Sequence, residues 1–252
     1  MNKSILLTII SFISWPILSQ EVQPVAIAKA QSINNEQKGS ISSTDKQNHN
    51  KYLLPLFGSI EKTATEKATD RSFVEMCRKN FPNLNEASKF FADRAWEYLG
   101  ESELDTAMYR FNLCYLLNEK NVDAYWGAGV ICFQKGEYDQ ASKLLNKGIE
   151  IDSTNSSLIV DLAIVELSCF EKNNHQEDLI LAHGHLAKAI DIDPQNISAW
   201  IKRSEAEYYL ENYENAWDCI HSARLLDITK IDLIYVEKLS AKMKDPKNIF
   251  KL

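Results

Sequence analysis

The chain has 252 residues, 45% of them hydrophobic and 25% charged, with 28 Lys and Arg against 35 Asp and Glu for a net charge of −7. These are ordinary values for a soluble globular protein of one or two domains, and the acidic balance lacks the basic footprint of a nucleic-acid binder. Scarce Gly (8) and Pro (6) favour long helices over collagen-like and all-β folds, and an odd number of cysteines (5) excludes a complete disulfide framework within one chain.

The chain opens with one positive charge in Met1-Asn2-Lys3-Ser4, followed by an apolar run over 5–13 and the exit Trp15-Pro16-Ile17-Leu18-Ser19. A charged start, a short apolar core and a small-residue exit predict a secretory signal peptide over 1–19. Ala28-Lys29-Ala30 offers a second cutting place, farther from the apolar core. The apolar run is too short to span ~30 Å of hydrocarbon. No Cys precedes Cys77, so there is no acylation site at a new N-terminus. The mature protein is therefore expected to be exported, periplasmic or extracellular, and not an integral membrane protein after signal cleavage.

Residues 20–60 read as a disordered polar linker. The stretch 31–50 has no aromatic residue and only two Ile, too little apolar surface to offset the entropy of ordering it. Tyr52-Leu53-Leu54-Pro55-Leu56-Phe57 is an apolar island at its end, expected to lie as a strap on the folded body, with a docking peptide as the alternative. The region 61–87 is predicted to hold an N-terminal cap helix with Phe73, Met76 and Cys77 on one face.

From there the chain repeats. Ala107, Ala141, Ala182 and Ala216 are separated by 34, 41 and 34 residues, and so are Leu104, Tyr138, Leu179 and Tyr213. Phe111, Leu145, Leu186 and Ile220 follow the same series, as do Cys114, Gly148, Ala189 and Ala223. A column of small residues, Ala95, Gly129, Ala163 and Ser204, is spaced 34, 34 and 41. The shift in the 41 locates a seven-residue insertion in the third unit, at the polar stretch Glu171-Lys172-Asn173-Asn174-His175-Gln176-Glu177. Four units result, 88–121, 122–155, 156–196 and 197–230, each patterned as two amphipathic helices with small residues where the helices cross. A C-terminal capping helix and tail occupy 231–252. Ile231, Ile234, Tyr235, Leu239 and Met243 are expected to face the array, and Lys238, standing in the small-residue column, bars a further unit. The fold class is all-α, a helix-turn-helix repeat solenoid with a cap helix at each end.

The period of 34 residues, the small-residue column and the run Tyr138-Asp139-Gln140-Ala141 resemble the tetratricopeptide repeat family over 88–230. Leu104-Asp105-Thr106-Ala107 and Tyr213-Glu214-Asn215-Ala216 are variants of that run, and Glu119 and Ile228 stand where the family usually has Pro. The stretch 73–130 looks like that of exported bacterial tetratricopeptide proteins without assigned activity. The resemblance implies a concave face, lined by the first helix of each unit, that holds a protein or peptide partner. The inner positions it selects for partner binding are Trp96, Trp126, Val130, Ile164, Lys202, Glu205, Tyr208 and Tyr209, with Phe133, Asp161 and Leu167 on the same face. Trp126, Val130, Tyr208 and Tyr209 are expected to form its exposed strip. The family's carboxylate clamp of Lys, Asn and Arg is missing, since Trp126, Val130, Ser157 and Asp161 hold those places. An apolar or mixed-charge segment is thus a better expected ligand than an acidic tail.

No nucleophile elbow, zinc-protease motif or phosphate-cradling Gly loop occurs, so no enzyme and no cofactor are expected. His183 and His185, two apart on a helix, point in different directions, but with His175 they support an alternative reading as a metal-handling or enzyme-accessory envelope protein. Cys114, Cys132 and Cys219 read as buried thiols, with a Cys114–Cys132 bond as the alternative, and Cys169 as the thiol for any reactivity. The expected function is that of an exported, non-enzymatic interaction scaffold.

Overall fold

The computed structural model describes residues 51–250. The expected signal peptide lies outside the described residues, as does the polar lead up to residue 50. Ten α-helices follow within them: α1 Ala64–Asn80, α2 Leu84–Gly100, α3 Leu104–Leu117, α4 Val122–Gln134 and α5 Tyr138–Ile151. Then come α6 Ser156–Asn173, α7 Gln176–Ile192, α8 Ile197–Tyr209, α9 Tyr213–Leu226 and α10 Leu233–Lys242. The pairs α2–α3, α4–α5, α6–α7 and α8–α9 are four helical hairpins, capped by α1 and α10. The solenoid is all-α among the described residues.

Each hairpin begins on the same signal. Asn83, Asn121, Asn155 and Asn196 stand at the N-caps of α2, α4, α6 and α8, and each side-chain oxygen accepts a backbone N–H of the first turn. Two of these caps also tie repeats together. Asn121 Nδ2 donates to Ser88 Oγ (2.9 Å), which donates to the Cys114 carbonyl (2.9 Å). Asn196 Nδ2 does the same to Ser156 Oγ (2.8 Å), which bonds the Ala189 carbonyl (3.0 Å). The turn inside each hairpin contains one left-handed residue: Ser102, Gly136, Asn174 or Glu211. In three of them the following N–H reaches back five residues, Glu103 to Tyr98, Glu137 to Cys132 and Asn212 to Glu207, which closes the end of the first helix.

The small-residue columns are buried at the crossings: Ala95, Ala107, Ala141, Ala163, Ala182, Ser204 and Ala216 are all sealed from solvent. Each second helix packs on the first helix of the next hairpin. First helices also touch one another, α2 with α4, α4 with α6 and α6 with α8, while the second helices make no comparable contact. The array therefore curves with its first helices on the inner side.

Several boundaries differ from those read in the sequence. The expected linker 20–60 overlaps ordered structure, because Lys51–Leu53 and Pro55–Ser59 form 3-10 turns. The apolar island is a strap on the array's own surface: Phe57 is buried, and Asn112 Nδ2 donates to the carbonyls of Tyr52 (2.8 Å) and Leu54 (2.9 Å). Lys51 pairs with Glu66 at 2.5 Å, and Lys62 lies 3.4 Å above the Phe57 ring. The first hairpin starts at Leu84, four residues before the unit boundary at 88. The third-unit insertion makes no long loop. It lengthens the helices, so that α6 has 18 residues against 13 in α4, and α7 has 17 against 14 in α5. At the C-terminus the 3-10 turn Ile228–Lys230 shortens and rotates the last helix, so Val236 rather than Ile234 faces the array, and Ile234 is 77% exposed. The tail is clasped behind it. Asp245 accepts His221 Nε2 (2.8 Å) and the N–H groups of Lys247, Ile249 and Phe250.

Gly127, on α4, shows how tight the crossings are: a Cβ there would lie 2.0 Å from Cζ of the fully buried Phe111 ring. At Gly129 it would meet Leu145 at 2.8 Å, whereas at exposed Gly184 on α7 it would meet nothing. Gly127→Ala should therefore lower the thermal midpoint by an overpacking cost of about 1–3 kcal/mol. Gly184→Ala should raise it by up to about 1 kcal/mol of helix propensity. Thermal melts of the two variants against the parent check both directions.

Candidate functional site

The inner face is built by α2, α4, α6, α8 and the start of the cap helix α10. All eight expected site residues, Trp96, Trp126, Val130, Ile164, Lys202, Glu205, Tyr208 and Tyr209, are half-buried. They do not form one uniform strip. The structure divides them into an aromatic–acidic half on α2, α4 and α6 and a tyrosine–ion-pair half on α8 and α10.

In the first half the two indoles interlock. Trp96 and Trp126 meet edge to face at 5.1 Å, and Trp96 meets Phe111 in the same way at 5.1 Å. Each indole reaches to the next first helix. Trp96 Nε1 donates to Asp123 Oδ1 (2.9 Å), and Trp126 Nε1 donates to Asp161 Oδ2 (2.6 Å). Trp126 is thus not the free surface anchor that the sequence pattern predicts. It joins α4 to α6 while leaving part of its ring open. Burial pushes the Asp161 carboxyl above its ordinary range, and the indole N–H only partly opposes that. Asp93 is also raised, by burial first, with Asp123 and Glu97 adding to the effect and Lys89 and Arg94 opposing it. Val130 on α4 packs with this cluster, whereas Ile164 on α6 packs with the neighbouring one that includes Leu167, Phe170 and Tyr209.

In the second half the charged side chains are engaged by neighbouring protein groups. Lys202 Nζ lies 2.8 and 2.9 Å from the Glu205 oxygens. Tyr209 donates to Glu171 at 2.5 Å and packs on Phe170 at 5.2 Å. Lys238 of α10 stands over Tyr208 (4.5 Å) and Tyr209 (5.2 Å). Burial and the Glu171 carboxylate raise the Tyr209 hydroxyl. Phe133 is half-buried against Tyr138, and Leu167 is core.

Sequence reasoning missed Asp123, Glu171, Lys238 and Gly127 as site-building residues. The Trp–Asp bond occurs twice, but over 27 residues in one case and 35 in the other. It therefore falls in different repeat positions and produces no column.

The histidines of the alternative reading do not converge. His183 Nε2 lies 2.8 Å from Glu207 on α8, and His185 Nδ1 lies 2.8 Å from Glu166 on α6. His175 is exposed, 3.9 Å from Asp178. Among the described residues no group of three His, Cys, Asp or Glu side chains is placed to hold a metal ion. Burial would raise Glu207, but His183, Asn212 and Arg203 more than offset it, so His183 belongs to the hydrogen-bonded network around the buried Glu207. The cysteines are all unbridged, which answers the Cys114–Cys132 alternative. Burial pushes Cys114, Cys132 and Cys219 to about 12 and raises Cys169 as well, so Cys169 is not an activated thiol. No helix among the described residues is long and apolar enough to cross a membrane.

Residues 122–155 match the family model of the tetratricopeptide repeat. Among solved structures, the chain is similar to TTC0263, a tetratricopeptide protein of Thermus thermophilus, at 13% identity and a TM-score of 0.51, covering 56% of this chain and 74% of that one. It is also similar to MamA of Desulfovibrio magneticus RS-1, residue 41 to its end, at 15% identity and a TM-score of 0.51, covering 64% and 88%. The first tetratricopeptide domain of Spaghetti (RPAP3), solved with the HSP90 peptide SRMEEVD, aligns at 18% identity and a TM-score of 0.44, covering 49% and 94%. At such identities the likeness is one of fold. Comparison with curated proteins gives no match.

The Trp126–Asp161 bond can be measured. Trp126→Phe leaves the carboxylate without its donor and should cost about 1–3 kcal/mol of stability. In an Asp161→Ala background the same change should cost clearly less. A double-mutant cycle from denaturant unfolding reads the difference.

Proposed function

We propose that this chain, a tetratricopeptide-repeat solenoid, is an exported, non-enzymatic scaffold that holds a protein or peptide partner on its concave face. The observation that carries the reading is the inner face itself. Two indoles, two tyrosines, Val130 and Ile164 remain partly open to solvent there, although the same helices bury their small-residue columns completely. Aromatic side chains offer large contact area at little entropy cost, and half-open apolar side chains on one face are what a partner covers. Export is supported by the charged start, the apolar run over 5–13 and the Ser19 exit.

Ile164→Arg tests the groove, because Ile164 lies between the two halves and its change leaves the Trp–Asp bonds in place. Affinity capture from the native envelope fraction should lose a partner that the parent retains, by a hot-spot amount of about 2 kcal/mol or more, with the helical circular dichroism unchanged. Retention of every partner by a folded Ile164→Arg variant would refute the concave-face reading. N-terminal sequencing of the protein from its natural host should begin at Gln20. An intact Met1 would refute export, and a start at Gln31 would move only the cutting site.

A further inference from the structure

We infer that the groove half formed by α2, α4 and α6 recognises an extended segment carrying a lysine or arginine beside apolar residues, a class that rests on the concave-face reading above and narrows it. Charge complementarity carries the argument. Around Trp96 and Trp126 stand Asp93, Asp123 and Asp161, each on an inner helix. Asp123 and Asp161 are held by indole N–H groups at 2.9 and 2.6 Å, which orient the carboxylates without neutralising them. Asp161 accepts from Trp126 and makes no salt bridge among the described residues. The cations near Asp93 are Lys89 and Arg94, and Arg94 is bonded to Glu97 at 2.6 Å. The α8–α10 half differs, since Lys202 is paired with Glu205 and Lys238 is stacked on two tyrosines. Asp123 and Asp161 thus lie beside the indole rings with no salt bridge among the described residues.

A cationic side chain satisfies both features at once. It is attracted to the face of an indole and pairs with the adjoining carboxylates, and Arg adds planar stacking on the ring. Val130, packed with the cluster, supplies contact for apolar neighbours of that cation. The net charge of −7 steers basic segments toward the chain and disfavours acidic ones.

The experiment uses the full chain and three fluorescein-labelled ten-residue peptides of alternating Leu-Arg, Leu-Ser and Leu-Glu, followed by anisotropy at low and high salt. The Leu-Arg peptide should bind at least about tenfold more tightly than the other two and weaken with salt. The double change Asp93→Asn with Asp161→Asn, which keeps the acceptor for Trp126, should remove about tenfold of Leu-Arg affinity and leave Leu-Ser binding unchanged. The outer-face control Glu150→Gln with Asp191→Asn should change neither. Equal binding of Leu-Ser or Leu-Glu overturns the inference, and so does a loss from the outer-face control as large as that from the inner pair. Binding of none of the peptides overturns it too. The Ile164→Arg capture experiment decides separately whether the concave face binds a partner at all, so the basic-segment class can fail while the groove stands.

Discussion

The ring of Phe111 lies against the bare α-carbon of Gly127, and the aromatic half of the inner face depends on that contact. With any Cβ at 127 the ring would have to leave, since the separation would be 2.0 Å. Because it stays, Phe111 meets Trp96 edge to face, Trp96 meets Trp126 in the same way, and Trp126 reaches Asp161 on the next first helix. A packing constraint at one hairpin crossing thus fixes a line of side chains through three successive first helices. The indoles are rigid because both ends of the line are held, one in the core and one by a hydrogen bond. Such preorganisation lowers the entropy cost of receiving a ligand.

The same economy of position governs the ends of the array. Asn112 is the ninth residue of α3, and His221 is the ninth residue of α9. Both are buried, and each clasps a segment from outside the repeats. Asn112 binds the carbonyls of the strap, and His221 binds Asp245 of the tail. The equivalent residue in the second hairpin, Asn146, is exposed, because a neighbouring segment is not laid over it. One helix position therefore has two states: exposed in the second hairpin, which only repeats adjoin, and buried in the terminal hairpins, where a segment from outside the repeats lies over it.

The repeat register is legible because crossings demand small residues at fixed intervals, and a column of Ala, Gly and Ser survives in any sequence that packs this way. The caps Asn121, Asn155 and Asn196 and the left-handed turn residues Ser102, Gly136 and Glu211 follow the same register, whereas Asn83 and Asn174 fall outside it. What the columns cannot display are features made once. Gly127 sits two residues before the column member Gly129, and nothing in its position distinguishes it from an ordinary helical glycine until Phe111 is placed. The Trp–Asp bonds span 27 and 35 residues, so their shared chemistry has no shared register. The eight inner-face residues can be found because helical periodicity decides which side of a helix faces inward. It does not decide how far each is covered by its neighbours, and so Trp126 looks freer in the sequence than it is. Ile234 departs from its expected place for a related reason: a 3-10 turn changes the phase of the following helix, and no pattern in 228–230 announces it.

The insertion in the third hairpin builds part of the α8–α10 half of the groove. In α4 the first helix stops after 13 residues, while α6 continues for 18, so 169–173 form an added turn. Phe170 and Glu171 belong to that turn, and both engage Tyr209 on α8, one by ring packing at 5.2 Å and the other by a hydrogen bond at 2.5 Å. A loop of seven polar residues would have had no means of reaching Tyr209 with a fixed geometry. A helical extension does, because each added residue advances the chain along an axis already held by the core. The extension thereby draws Tyr209 into protein contacts and, with Lys238 above it, fills the α8–α10 half from within. The corresponding space beside α4 has no such turn to fill it. α4 ends at Gln134, at the far end of that helix from Asp123 and Trp126, so the aromatic–acidic half is shaped by its own Trp–Asp bonds and the tyrosine half by the added turn.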